Sequence, residues 1–314
     1  MFEEIIEKVK ASDRILVYPH VNMDGDAAGS AKALCLAFRK MGKQAAILCD
    51  SEKPDFLSFL YDESFVSEPP FKADLSFAVD FSEEKRMQGR EGYFKEAPSS
   101  VCIDHHVSPG GMADVSVIDP NASAAAMLVY EFLLEMGVEI DTDIAEALYT
   151  AILTDTGAFK YSNTNAETHR VISELYRYGI DHVKICTAVY ETKPQAQLRI
   201  ESLAMERAEM LEGGKAAVTY ITQEDLKEYG ARYDYCESAI DYLRTMKDVE
   251  AVAIVKEFSK GVFKVSFRGK HYANVRLAAE ALGGGGHDRA AGCTLEMSLD
   301  EAIANVKKEI VKTL

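Results

Sequence analysis

Residues 14–26 read RILVYPHVNMDGD, and this stretch decides the fold of the N-terminal half. Arg14–Tyr18 is a short run rich in β-forming residues that stops at Pro19, which predicts a strand. Small apolar residues at helical spacing follow from Gly25 to Met41. The loop between them and the first turn of the predicted helix carry one histidine, His20, and two aspartates, Asp24 and Asp26. A strand, a polar loop and a helix in this order predict the first unit of an α/β sheet, with the loop at the strand's carboxyl end.

The same pattern recurs further along the chain. Leu75–Val79 is an apolar run closed by Asp80, and Ser100–Ile103 is closed by the triplet Asp104-His105-His106. Gln44–Cys49 is also typical of a strand. Because strands alternate with helical segments, we expect a mainly parallel sheet flanked by helices.

From Ser123 onward the sequence pattern is helical. Helical periodicity predicts helices over Ser123–Met136 and Ile144–Leu153, with Asp155 just beyond, and one long helix over Gln195–Leu211. A smaller α/β domain follows, with a hairpin at 259–261 and a final helix that starts at the capping pair Ser298 and Glu301. We expect a catalytic domain over 1–190, a helical linker over 191–214 and a substrate-binding domain over 215–314.

Composition excludes several classes of protein. The chain has 314 residues, a hydrophobic fraction of 47% and a charged fraction of 27%, as in ordinary globular proteins. Its net charge of −16 argues against binding long duplex nucleic acid through the general surface field. The start MFEEIIEKVK lacks the basic, then apolar, pattern of a secretory signal, and no apolar run is long enough for a membrane span. Six cysteines without short spacing are typical of reduced thiols. We expect a cytoplasmic protein without a membrane anchor.

Four acidic clusters are the candidate metal ligands. Three follow predicted strands and would meet at the same edge of the sheet, while the fourth follows a helix. Several carboxylates in a small volume repel one another unless cations lie between them. Carboxylate and imidazole ligands together suit Mn²⁺ best, with Mg²⁺, Co²⁺ or Fe²⁺ as alternatives. The candidate ligands are His20, Asp24, Asp26, Asp80, His105 and Asp155.

A second candidate site lies near the C-terminus. Gly283–Gly286 precede His287, and glycine backbone N–H groups can approach an anion closely, so Gly284, Gly285 and Gly286 are candidate contacts. Residues 256–276 carry six basic side chains and one acidic one. We interpret most of these lysines as a solvated strand face, and Arg268 and His271 as the better phosphate contacts. The other candidate substrate contacts are His287, Arg289 and, in the first half, Asn22.

This set of motifs resembles the DHH/DHHA1 phosphoesterases. His-x3-Asp-x-Asp, a lone Asp, Asp-His-His, a later Asp and a C-terminal Gly-Gly-Gly-His occur in that order over nearly the whole chain. The resemblance is strongest to the branch of stand-alone nanoRNases and pAp phosphatases, often labelled exopolyphosphatase-related. It implies an N-terminal DHH domain joined by a helical linker to a smaller DHHA1 domain. A homodimer is an expectation from the resemblance alone.

The resemblance also implies roles for the residues. His20, Asp24 and Asp80 would hold one Mn²⁺ ion, while Asp26, Asp80, His105 and Asp155 would hold another. Asp80, His106 and Asp104 would be the catalytic residues, with Asp104 orienting His105 and with His106 facing the substrate phosphate. Arg268 and His287 would grip another phosphate or a sugar of the nucleotide.

The residues and the resemblance together predict two-metal hydrolysis of phosphoesters. The expected substrates are single-stranded RNA of two to five nucleotides and 3′,5′-bisphosphate adenosine (pAp). Two alternatives keep the same metal site: a phosphodiesterase for cyclic or linear dinucleotides, and an exopolyphosphatase or pyrophosphatase. A third is a catalytically inactive nucleotide-binding regulator, which would be expected to lack one of the metal-site residues.

Overall fold

The structure is a computed structural model that describes residues 1–49, 53–107 and 110–314. The chain divides into two compact units, Met1–Thr192 and Lys193–Leu314. Among the residues described, no helix combines the length and apolarity needed to cross a membrane.

The first unit is built on a parallel sheet. Its described strands are β1 (Arg14–Tyr18), β2 (Gln44–Leu48), β3 (Phe65–Val66), β4 (Leu75–Val79), β5 (Ser100–Asp104) and β6 (Val115–Ile118). They are arranged in the order β3-β2-β1-β4-β5-β6, and every neighbouring pair is parallel. The order reverses direction between β1 and β4. In open α/β sheets, ligands bind beside the carboxyl ends of the strands at such a reversal.

Helices cover both faces of this sheet. Those described are α1 (Glu3–Lys10), α2 (Gly25–Lys40), α3 (Glu91–Glu96), α4 (Ala125–Glu135), α5 (Thr142–Asp155), α6 (Ala166–Tyr176) and α7 (His182–Cys186). One face buries Ile15 and Val17, and the other buries Leu16 and Tyr18.

Two glycines let α2 and α5 approach closely. A Cβ on Gly25 would lie 2.2 Å from Thr154 Oγ1, and one on Gly29 would lie 2.4 Å from the carbonyl oxygen of Ala147. Because no side chain separates the two helices at these points, Asp155 at the end of α5 comes close to the start of α2.

The second unit has a mixed sheet. Its described strands are β7 (Glu209–Leu211), β8 (Ala216–Ile221), β9 (Ala251–Ser259), β10 (Val262–Gly269), β11 (Gly285–His287) and β12 (Ala290–Glu296). The order is β11-β12-β10-β9-β8-β7, in which only the described pair β8–β9 is parallel. The described helices are α8 (Gln195–Glu206), α9 (Gln223–Tyr229), α10 (Ala239–Arg244), α11 (Val275–Ala281) and α12 (Leu299–Val311).

The predicted fold class is confirmed: a mainly parallel sheet flanked by helices is followed by a smaller α/β unit. One predicted element is wrong. The helix predicted to reach Leu211 ends at Glu206, and Glu209–Leu211 instead pairs antiparallel with β8 through a turn at Gly213 and Gly214. Both glycines have positive φ, which reverses the chain and lets the edge strand form. Helix α8, predicted within the linker, buries Ile200 and Ala204 in the second unit.

Candidate metal centre

The fold of the first unit brings all six predicted metal ligands together at the carboxyl edge of its sheet. His20 follows β1, Asp80 follows β4 and His105 follows β5. The start of α2 and the end of α5 supply the other three, which are Asp24, Asp26 and Asp155.

The ligand atoms form three overlapping groups, one around His20 with Asp24 and Asp80 and two around His105, of which one holds Asp26 and Asp155 and the other Asp80 and His106. The two histidines thus define a first group and a second, and Asp80 is close to both. In the first group, His20 Nε2 lies 3.6 Å from Asp24 Oδ2 and 3.4 Å from Asp80 Oδ2. In the second, His105 Nε2 lies 3.5 Å from Asp80 Oδ1, 3.8 Å from Asp26 Oδ2 and 3.9 Å from Asp155 Oδ2. The two oxygens of Asp80 therefore face different histidines, so this carboxylate lies between the two groups.

Two of the carboxylates are fixed by helix N-termini. Asp24 caps α2, because its Oδ1 accepts hydrogen bonds from the backbone N–H groups of Asp26 and Ala27 while Oδ2 faces His20. Asp26 is fully buried and accepts hydrogen bonds from Ala125 N and Ala126 N at the start of α4. These contacts fix the carboxylate orientations and use the positive ends of two helix dipoles to stabilise their charge.

The backbone at the site is strained. Asp80 has φ +66° and Asn22 has φ +55°, a left-handed conformation that residues other than glycine adopt rarely. Aspartate and asparagine tolerate it best among such residues. Strain of this kind is concentrated at functional sites, and here it turns the Asp80 side chain toward both histidines.

Each candidate histidine ligand is held by a backbone carbonyl. Nδ1 of His20 lies 2.7 Å from the carbonyl oxygen of Val21, and Nδ1 of His105 lies 3.1 Å from that of Ala122. A carbonyl only accepts, so each Nδ1 carries the proton and donates it. The Nε2 lone pair of each ring therefore faces the carboxylates, as a metal-bound imidazole requires.

The residues fit a pair of divalent cations. His20 Nε2 and Asp80 Oδ1 are buried and have no hydrogen-bond partner among the described residues. The Nε2 lone pairs of the histidines face carboxylate oxygens across 3.4–3.9 Å and repel them. A cation between these atoms removes the repulsion. Mixed nitrogen and oxygen donors suit first-row transition metals.

The pKa values of the clustered residues also favour bound cations. Burial lowers the pKa of His20, yet the neighbouring Asp24 and Asp80 raise it to about 10. The pKa of His105 is likewise lowered by burial but raised to about 10 by the surrounding aspartates. Burial raises the pKa of Asp155 to about 6. The clustered negative charge therefore favours added positive charge, which protons or metal ions can supply.

Asp104 orients a different histidine from the one expected. Its Oδ1 accepts hydrogen bonds from His106 Nδ1 at 2.8 Å and from the backbone N–H groups of His105 and His106, and its Oδ2 accepts one from Ser82 Oγ. The prediction that Asp104 orients the His105 ring is wrong, because the carbonyl of Ala122 holds that ring. Asp104 instead fixes the half-exposed ring of His106 and raises its pKa.

Two residues of the site were not predicted. Ser82 donates to Asp104, and Asn163 donates through Nδ2 to Asp155 Oδ2 at 3.2 Å. The same amide also donates to the carbonyl oxygens of Asp155 and Ser123, so it ties the end of α5 to the segment before α4. The only sequence signal for Asn163 was its place in a polar loop eight residues after Asp155.

Replacing Asn163 should weaken metal binding without unfolding the protein. Asn163→Ala removes the hydrogen bond to the Asp155 carboxylate and the contacts to the carbonyl oxygens of Asp155 and Ser123 that hold the end of α5 in place. We expect Mn²⁺ affinity to fall by about 10- to 100-fold, the range typical when a partner of a metal ligand is removed. Isothermal titration of metal-free protein with Mn²⁺ measures this effect. Asn305→Ala, in the second unit, is the matched control, and equal affinities in the two variants would exclude the role of Asn163.

The glycine segment predicted to contact an anion is partly a strand. Gly285–His287 forms the edge strand β11 and pairs antiparallel with β12. A Cβ on Gly284 would lie 2.1 Å from the carbonyl oxygen of Gly292, and one on Gly286 would lie 2.6 Å from that of Ala290. These glycines therefore permit close packing of the hairpin.

The other predicted substrate contacts have different surroundings. Ala290 on β12 lies opposite Arg268 on β10 and opposite His287 on β11. Arg268 and His287 therefore share one face of the sheet. Arg289 donates from Nη1 to the carbonyl oxygen of Ala273, which gives it a role in holding that loop. His271 contacts the buried carboxylate of Glu250.

Asn22 is exposed in the loop between β1 and α2, and it belongs to the first unit.

Comparisons with known proteins agree with this geometry. The model of the DHH family, N-terminal domain, matches residues 14–152, and that of the DHHA1 domain matches residues 213–312. The bifunctional oligoribonuclease and PAP phosphatase NrnA of Thermus thermophilus is 31% identical, over 99% of this chain and 93% of that protein. The protein of the same name from Bacillus subtilis is 27% identical, over 96% and 95%.

A solved structure shows the same fold. The exopolyphosphatase-related protein from Bacteroides fragilis superimposes with a TM-score of 0.92 at 26% identity, covering 99% of this chain and 95% of that one. The resemblance predicted from the sequence motifs is therefore confirmed, and this chain belongs to the DHH/DHHA1 family of phosphoesterases.

Proposed function

We propose that the chain hydrolyses very short RNA to mononucleotides and removes a phosphate from pAp, using two Mn²⁺ ions. The observation that carries this proposal is the pair of ligand groups joined by the two oxygens of Asp80. Full-length similarity to proteins named bifunctional oligoribonuclease and PAP phosphatase supports the choice of substrates.

The proposed ligand sets follow the two groups. His20, Asp24 and Asp80 would hold one ion, and Asp26, Asp80, His105 and Asp155 would hold the other. When bound, two such ions lower the pKa of a water molecule and neutralise charge on the phosphoryl group. The mixture of carboxylates and imidazoles supports Mn²⁺ as the metal.

The remaining residues would bind and orient the substrate. Asp104 fixes the ring of His106 through Nδ1. Asp104 also raises the pKa of His106, which favours the protonated ring, and in that form Nε2 can donate a hydrogen bond to a phosphoryl oxygen. A preorganised donor of this kind stabilises charge that develops in the transition state. Asn22, in the loop next to the ligands, is a further proposed contact.

The net charge of the chain supports the proposal that its substrates are small. A net charge of −16 repels long polyanions, so binding must rest on local positive groups. Arg268 and His287, on one face of the second sheet, are suited to hold a single phosphate.

An assay of four substrates tests the proposal. Purified protein with Mn²⁺ would be given an RNA dinucleotide, pAp, a cyclic dinucleotide and polyphosphate, with products separated by ion-exchange chromatography. We expect mononucleotides from the dimer and release of phosphate from pAp, both abolished by a chelator. Preference for the cyclic dinucleotide or for polyphosphate would overturn the proposed substrate but keep the metal site. No hydrolysis of any of the four would contradict the proposed activity.

A further inference from the structure

A groove crosses one face of the second sheet. It has a volume of about 550 Å³, within the range of small-molecule sites. Its lining includes the basic Lys256 and Lys264, the acidic Glu237, the hydroxyl residues Ser266 and Thr294, and Gly292. The opposite face of the same strands buries Phe263, Val265 and Phe267 in the core, so the groove lies on the side away from that core.

Strand register arranges this face of the sheet in three rows; the groove is lined from the middle and third rows, and the first row lies beside it. Residues directly opposite in antiparallel strands point to the same face, and so do residues two apart along a strand. The first row is Arg268, Ala290 and His287, the middle row is Ser266, Gly292 and Gly285, and the third is Lys264 and Thr294. A floor of small residues therefore lies between two rows that each carry a basic side chain.

The polar groups of the groove are available for a ligand. Lys264 is exposed and forms no ion pair with the described residues; its ammonium group lies 4.3 Å from the centre of the Phe258 ring. The hydroxyls of Ser266 and Thr294 form no hydrogen bonds within the described part of the chain. Lys256, in contrast, is buried and bound to Glu237. Lys264 and the two hydroxyls are therefore the groups that can recognise an anion.

The spacing of the rows fits a nucleotide. Arg268 lies four residues after Lys264 along β10, a distance of roughly 14 Å at about 3.4 Å per residue. An anion at the first row and another at the third would leave the small-residue floor for the sugar and base between them. The aromatic ring of Phe258, half-exposed beside Lys264, adds an apolar surface at the far end.

We propose that this groove is an additional nucleotide subsite, which binds the part of an oligonucleotide beyond the phosphate held by Arg268 and His287. The inference rests on the proposed function, because it assigns longer oligonucleotides as a substrate class of the proposed activity. The nucleotide pAp has two phosphates, of which one is removed in the reaction and the other is the one assigned to Arg268 and His287, so none remains for Lys264. The groove therefore favours RNA of three or more nucleotides over pAp.

The test compares Lys264→Gln with Lys260→Gln. Both variants remove one positive charge from the β9–β10 hairpin, but Lys260 lies in the exposed turn and does not line the groove. We expect Lys264→Gln to raise KM for an RNA trinucleotide about tenfold, the size of one charge-assisted hydrogen bond, and to leave KM for pAp unchanged. Lys260→Gln should change neither. Equal effects of the two variants, or an equal effect on pAp, would overturn the subsite.

A binding measurement separates this inference from the proposed activity. Fluorescence anisotropy of a labelled RNA trinucleotide with the Asp80→Asn protein needs no turnover. If Lys264→Gln weakens binding about tenfold in this background while the unaltered chain cleaves no RNA, the subsite stands and the proposed activity fails. If the unaltered chain cleaves the trinucleotide and Lys264→Gln binds it normally, the subsite fails and the proposed activity stands.

Discussion

Asp80→Asn should abolish hydrolysis and leave the fold intact. Asp80 is the only described carboxylate that faces both His20 and His105, at 3.4 and 3.5 Å, so losing its charge affects both ligand groups. Asparagine has the same shape and tolerates the φ of +66° at this position. We expect kcat/KM to fall by on the order of 10³-fold, the upper range for loss of one preorganised charge-stabilising group.

The stability of the metal-free variant provides a second readout. Asp80 is buried between other carboxylates and the imidazoles of His20 and His105, so neutralising it removes repulsion from the carboxylates and attraction to the histidines. The two effects oppose each other, so we expect the melting temperature in chelator to stay close to that of the unaltered protein, and the stabilisation by Mn²⁺ to be lost.

A matched control removes the same charge elsewhere. Asp143→Asn changes an exposed carboxylate in the first turn of α5 and should leave both activity and Mn²⁺ stabilisation unchanged. If Asp80→Asn kept activity comparable with that control, Asp80 would not bridge two cations, and the proposed ligand sets would be wrong.

The convergence of the candidate ligands could be predicted from the sequence where local pattern and topology determine it. His20, Asp80 and Asp104 each end a strand, and the carboxyl ends of parallel strands lie along one edge of the sheet, so their convergence follows from the fold class. Placing Asp155 beside the other candidate ligands also required the family resemblance. A residue at the end of a helix has no defined position relative to the sheet until the packing of that helix is known. Gly25 and Gly29 provide that packing through close contact of α2 with α5.

Contacts that depend on the backbone of distant segments could not be predicted. The group that orients His105 is the backbone carbonyl of Ala122. Every residue has such a carbonyl, so no side-chain pattern indicates which one makes this contact. Asn163 joins the site only because its amide also reaches the carbonyl of Ser123, forty residues earlier. Strand β11 was missed because glycine has little β propensity, and pairing with β12 determines its conformation.

His106→Asn should separate catalysis from metal binding. The amide nitrogen of asparagine can replace Nδ1 as the donor to Asp104, but nothing replaces Nε2. If the ring acts on the substrate, kcat should fall by roughly 10²-fold or more, since that is the usual contribution of a positioned donor or proton-transfer group. Mn²⁺ affinity, measured by isothermal titration, should stay close to that of the unaltered protein.

The opposite result would change the assignment of His106. Its Nδ1 lies 3.7 Å from Asp80 Oδ1, so the ring is close enough to the cluster to serve as a ligand if it released Asp104. In that case His106→Asn would lower Mn²⁺ affinity as strongly as Asp80→Asn does. His182→Asn, at an exposed position on α7, controls for the loss of an imidazole. The hydrogen bond of 2.8 Å to a fully buried Asp104 favours the substrate-facing role, because breaking it would leave that carboxylate without its charged partner.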